Sequence, residues 1–295
     1  MAVSAGVAWA AVVLVTYSLA DLFGKKGVMK LGYVRAAALV STVSMVPFLA
    51  LYVIFPQAIN SQGIVLSAIG GVFYGLGFLL LYKSLVTEQT TNTFALSEFF
   101  KAWLVLFSVF ILGIALSASK WIGIVLIFAG SFMVITTENL NVNKKLVYAL
   151  SGFICWAVLW TLMSFAVVGS KPLGIVGSDS YIPEGLIAAF FAAVTAAAAF
   201  LVLPNGSAAH RQRSVPHWER YVVTVGLGIG AGSAIFGYLI LAGQLAQGAS
   251  IIALTPIVVA VASRRIYLDR LTAVQLSGVA VAVVGALVLA FAPAL

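Results

Sequence analysis

Apolar residues run along this chain in long blocks broken by short clusters of Gly, Pro, Asn and charge, and the blocks have the length of bilayer-spanning helices. A helix rising ~1.5 Å per residue needs about 20 mostly apolar residues to cross a hydrocarbon core of ~30 Å. Ten runs meet that requirement, at approximately 4–23, 33–55, 64–86, 91–114, 119–137, 146–168, 184–203, 221–246, 249–267 and 272–291. None alternates as a barrel strand would, and lipid offers no partner to unpaired backbone groups, so helices are predicted throughout. Pro56, Asn60 and Gly63 punctuate the end of the second run, and Glu138 to Lys145 form a polar linker near the middle. Pro204-Asn205-Gly206 opens the longest connection, a basic loop reaching Arg220 that holds His210 and His217 and reads as a disordered segment, with a regulatory or lipid-headgroup contact as the alternative. Glu184 follows Pro183 where a helix N-terminus favours a proline and an acid, so no function is read there.

Composition narrows the class further. Of 295 residues, 63% are hydrophobic and only 8% charged, with a mean hydropathy of +1.14. A soluble domain carries roughly a quarter charged residues, so an all-α, multi-pass protein of the cell membrane is expected. One cysteine, Cys155, allows no internal disulfide, and two histidines allow no Cys/His metal cluster. No Gly-x-x-x-x-Gly-Lys-Ser/Thr signature is present, so ATP hydrolysis by this chain is excluded, and no cofactor is expected.

The net charge of +8 reflects topology rather than a nucleic-acid partner. Lys25, Lys26, Lys30, Arg35, Lys83, Lys144, Lys145, Arg211, Arg213, Arg220, Arg264, Arg265 and Arg270 fall on the side of the odd-numbered connections, against Lys120 and Lys171 on the other. The positive-inside rule then places both termini outside the cytoplasm. The first run has no basic segment before it and is read as a retained span rather than a signal peptide.

Two halves echo each other. Phe94-Ala95-Leu96-Ser97-Glu98 precedes Gly123 and Gly130, and Ile252-Ala253-Leu254-Thr255-Pro256 precedes Gly278 and Gly285. Each glycine pair, seven apart, lies on one helix face where backbones can approach closely. Five runs on either side of the linker predict two repeats, 1–140 and 141–295, of opposite orientation around a central cavity. In all of this the chain resembles the ten-span EamA-like members of the drug/metabolite transporter superfamily over nearly its whole length. Its first half also resembles the small multidrug resistance exporters. Their Ala-Glu-x-x-Gly is matched by Ala20-Asp21-Leu22-Phe23-Gly24, their Met-Lys step and aromatic by Met29-Lys30 and Tyr33. The resemblance implies that Asp21 stands for those exporters' membrane carboxylate. It differs in being Asp, in having Lys25 one turn further along where it could neutralise the acid, and in lacking a matching acid near Val167. The superfamily's habit also implies cytoplasmic termini, against the charge count.

An ionisable group near the bilayer centre costs on the order of 2.5 to 3.5 kcal/mol, so each needs a reason. On the fourth run Glu98 and Lys101 are three apart and share a face. Two readings stand: a self-neutralising ion pair inside the bundle, or an anionic and a cationic anchor in a polar cavity, with Glu98 exchanging a proton against substrate. Tyr17, Tyr74, Trp160 and Tyr238 are expected pocket walls, and Asn92 a helix cap or substrate contact. Lys83 reads as snorkelling to the interface. Arg264 and Arg265 read as surface anchors, although an adjacent basic pair also resembles the anion-binding residues of plastid phosphate translocators.

The expected function is a proton-coupled exporter of a small organic metabolite or drug, working as monomer or homodimer among membrane lipid. The alternatives are an exchanger or uniporter of an anionic metabolite such as an organic phosphate, and a lipid flippase. Glu98→Gln is the more damaging change under the first, Lys101→Ala under the anion reading. An intramembrane hydrolase would need a nucleophile and base that the spans do not supply, so no enzyme activity is expected.

Overall fold

The computed structural model describes residues 5–58, 60–87, 97–135, 146–170, 173–203, 216–266 and 272–291. Among the described residues, six helices are long and apolar enough to cross a membrane: α1 (Ala5–Leu31), α2 (Tyr33–Ile54), α3 (Ser61–Thr87), α6 (Leu146–Val168), α7 (Ile182–Val202) and α8 (Pro216–Leu241). Shorter apolar helices occupy the remaining predicted runs: α4 (Ser97–Phe110), α5 (Ala118–Ile135), α9 (Leu245–Ile252) with α10 (Thr255–Ile266), and α11 (Ala273–Phe291). Among the described residues the one sheet is a two-stranded antiparallel hairpin, β1 (Gly169–Ser170) with β2 (Ile175–Val176).

Several boundaries differ from the sequence reading. The first helix does not stop at Phe23 but continues through Lys25 and Lys30 to Leu31. Lysine is a good helix former, and its long stem lets the ammonium reach an interface from the last turns. Gly32, at φ 82°, then turns the chain directly into α2. Gly63 does not end the second run; it lies inside α3, whose start is organised by Asn60, with its Oδ1 accepting from the Gln62 amide at 2.7 Å. The eighth run ends at Leu241, because Gly243 at φ 65° breaks the chain before α9. The ninth is split at Ala253–Leu254, and the fourth ends at Phe110. Lys83 sits inside α3, its ammonium 4.1 Å from the centroid of the Tyr148 ring.

Close helix packing is concentrated where glycine removes the side chain. Helices α5 and α11 run antiparallel in contact: a Cβ on Gly123 would stand 2.9 Å from the Gly285 carbonyl oxygen, and one on Gly130 would meet Gly278 and Ala282. The glycines that the sequence spaces seven apart thus face each other. A second set binds α3 to α7 through Gly71 and Gly75, and α8 to α2 through Gly226 and Gly230. Helices α1 and α8 pack together, as do α3 and α6, and α4 meets both α6 and α9. Without a hydrophobic drive between helices in lipid, such small-residue contacts supply the dispersion energy of association. Outward faces carry large apolar side chains, Val53, Phe110, Leu201 and Val202 among the most exposed, as a lipid-facing surface requires.

Candidate substrate cavity

Among the described residues, six helices line one partly open cavity. Its walls are Tyr17 and Asp21 from α1, Tyr74 and Phe78 from α3, Phe100 and Lys101 from α4, Phe153, Trp156 and Trp160 from α6, Ile229 and Ser233 from α8, and Thr255 from the first turn of α10. Helical spacing explains the sets: Tyr17 and Asp21, Tyr74 and Phe78, Trp156 and Trp160, Ile229 and Ser233 are each four apart, one turn, so both members face the same way.

One wall is polar. Ser233 is a hub, with its Oγ 2.9 Å from the Tyr17 Oη and 3.5 Å from the Tyr74 Oη. The Tyr181 hydroxyl donates to the Ser233 carbonyl at 2.8 Å, tying α7 to the same turn of α8. The opposite wall is aromatic. Phe78 stands 5.2 Å from Trp156, edge to face, Trp156 5.6 Å from Phe153, and Trp160 is wedged at 4.6 Å against Phe236. Charge enters from two directions: Asp21 from α1, and Lys101 from α4, only 4% exposed, whose ammonium is the cation acting on the Asp21 carboxylate. A carboxylate, an ammonium, four hydroxyls and an aromatic floor can together hold an organic molecule that bears ionised groups. Among the described residues no group of three or more His, Cys, Asp or Glu could hold a metal ion.

Of the residues singled out from the sequence, the fold brings together Asp21, Lys101, Tyr17, Tyr74 and Trp160. Tyr238 has to be corrected: it is 54% exposed and absent from the cavity wall, because it lies five residues beyond Ser233, on the outward face of α8. Tyr238→Ala is therefore expected to leave stability within about 0.5 kcal/mol of the parent and transport unchanged, as a thermal midpoint and an uptake rate would show. Asn92 and His210 lie outside the described residues, as do the side chains of Glu98, Arg264, Arg265 and His217. The described acid that lines the same cavity as Lys101 is Asp21. Glu184 is more than an N-terminal acid: it is fully buried, and Ser180 Oγ donates to its Oε2 at 2.9 Å, away from the cavity.

Ser233, Phe100, Phe153, Ile229 and Thr255 were not singled out as site residues. A signal for Ser233 was present. Laying Gly71 and Gly75 over Gly226 and Gly230 brings Tyr74 into register with Ile229 and Phe78 with Ser233, and all four line the cavity. For Phe100 and Phe153, two phenylalanines among many, no such signal existed.

Comparison with known proteins now bears on this arrangement. Residues 4–136 match the EamA-like transporter family. That match spans a little under half of the chain. With its long apolar helices, the protein is accordingly a multi-pass membrane protein of the drug/metabolite transporter kind, consistent with residence in the cell membrane. The EamA-like family is one of transporters of small molecules rather than of enzymes. No protein of curated function matches the chain in sequence. One crystal structure is similar over 97% of this chain and 96% of its own, with a TM-score of 0.73 at 15% identity, a likeness of fold alone.

Proposed function

We propose that this EamA-like protein is a secondary active transporter that moves a small organic solute bearing ionised groups, such as a zwitterion, outward by alternating access in exchange for protons. The observation that carries the reading is the placing of Asp21 and Lys101 in one aromatic cavity between helices from both halves of the chain. An acid there can take up a proton, and releases it when a substrate cation approaches; the amine meanwhile receives the substrate's anionic group. Exchange follows because the carboxylate cannot serve proton and substrate at once.

Two inverted repeats, 1–140 and 141–295, give this cavity its alternating access in our reading. The packing pairs support it: α1 on α8 is matched by α6 on α3, α2 on α8 by α7 on α3, and α5 meets α11 antiparallel. These pairs interchange when each helix is replaced by its counterpart in the other half, which is what a two-fold relation between oppositely inserted halves requires. Purified protein in liposomes, offered amino acids, cationic drugs and phosphorylated metabolites across an imposed pH gradient, tests the function. Solute accumulation with matching proton movement is expected. No uptake, with lipid scrambling instead, sinks it and favours the flippase. Lys101 in the cavity is also what an anion exchanger would use, and uptake of phosphorylated metabolites alone, insensitive to the gradient, would point there.

A further inference from the structure

A second space lies against the first. Phe100 and Trp103 of α4, with Leu150, Phe153, Ile154, Ala157, Val158, Thr161 and Leu162 of α6, line a groove of about 390 Å³. Its mouth faces the bilayer, since Ile154 is 55% exposed and Trp103 and Leu150 are also exposed on the outer surface. The lining is apolar apart from Thr161, and that hydroxyl is occupied, accepting from Trp103 Nε1 at 3.0 Å. Phe100 and Phe153 belong to both spaces. Their rings are nearly parallel, 3° apart with centroids 6.1 Å from each other, and they form the partition between the charged cavity and the groove. Neither ring carries a hydrogen-bonding group, so turning one aside breaks no polar contact.

We infer that the transported solute is an amphiphile, with its ionised head between Asp21 and Lys101 and its hydrocarbon part passing Phe100 and Phe153 into the groove between α4 and α6. This rests on the cavity being the substrate site. A membrane lipid is the less suitable occupant. Among the described residues no charged side chain lines the groove to hold a phosphate headgroup, whereas the acid and amine line the cavity that shares the two rings. Head and tail of one molecule satisfy both spaces; a lipid tail satisfies only one.

The test uses methyl and octyl betaine, a zwitterionic head with a short or a long chain, binding to the full-length protein in nanodiscs. Ala157→Phe fills the groove without entering the cavity wall. Each methylene taken from water is worth roughly a fourfold gain in affinity, so excluding even two from the groove weakens octyl betaine about tenfold or more. Methyl betaine should bind the variant as it binds the parent. Equal loss of both probes, or loss of neither, overturns the inference. Retention of a co-purified lipid by the parent but not the variant, with octyl betaine unaffected, overturns it in favour of a lipid site. Failure of the parent to bind either betaine instead removes the cavity reading on which it rests. Should Ala157→Phe fail to fold, Ile154→Trp closes the groove from its mouth, and an octyl betaine carrying a terminal diazirine reports on the unaltered protein. Labelling within residues 150–162 supports the inference, and labelling confined elsewhere overturns it.

Discussion

Asp21→Asn in proteoliposomes is expected to abolish transport driven by a pH gradient while leaving the protein folded. The asparagine keeps the shape and some hydrogen-bonding capacity of the aspartate but can neither release nor take up a proton in the working pH range. It also leaves the Lys101 ammonium in the cavity without the carboxylate on which it acts. Losing the interactions of a buried polar or charged group costs on the order of 1 to 3 kcal/mol. Part of that cost falls on the folded state and part on the affinity for any substrate whose cation met Asp21. We therefore expect solute binding at least about tenfold weaker, each 1.4 kcal/mol being a factor of ten, and accumulation against a gradient reduced to background. Lys101→Met in the same chain should not restore transport, because the double change supplies no proton carrier. A variant that still accumulates solute under a pH gradient would remove Asp21 from the coupling step. Glu98→Gln, made in parallel, then shows whether the second acid of that region carries it instead.

The second large effect is structural. Gly130→Val should prevent the protein from reaching its folded state at ordinary yield, because the new side chain would collide with the backbone of Gly278 and Ala282 rather than with a movable side chain. Overpacking a well-packed contact costs typically 1 to 3 kcal/mol, and the branched valine against fixed backbone belongs at about 3 kcal/mol. Neither α5 nor α11 contributes a residue to the cavity wall. Whatever fraction folds should thus bind solute with parental affinity, which separates a packing defect from a site defect. Gly228→Ala is the contrast. Its Cβ would find only the Thr16 carbonyl oxygen, at an ordinary 3.8 Å, and alanine is the better helix former by about 1 kcal/mol. Equal expression of Gly130→Val and Gly228→Ala would show that the α5–α11 contact is looser than its geometry indicates.

These two changes mark how much could be read before the fold was known. Bilayer spans follow from composition alone, since nothing but a helix buries its own backbone in lipid. The facing of Gly123 and Gly130 toward Gly285 and Gly278 was half visible: spacing of seven puts each pair on one face, though not the face it meets. Tyr17 with Asp21, and Tyr74 with Phe78, could be recognised as stripes one turn apart, and that much placed them near a site. Tyr238 shows the limit of such reading. As an aromatic on the same helix as Ser233 it looked equivalent to the others, yet a difference of five residues, about 140° around a helix of 3.6 residues per turn, sends it outward to lipid.

Local pattern in the chain settles what each segment is, because the cost of an unpaired amide or an unshielded charge in hydrocarbon is paid residue by residue. It settles the spans, their polarity of charge, the small-residue faces and the need for some refuge for Asp21 and Lys101. Convergence is another matter. That Lys101 acts on Asp21, that Ser233 joins Tyr17 and Tyr74, and that Phe100 and Phe153 divide a charged cavity from an apolar groove are decided by how six helices from distant parts of the chain cross. Those crossings depend on glycine contacts summed over the whole bundle, and no single segment contains them.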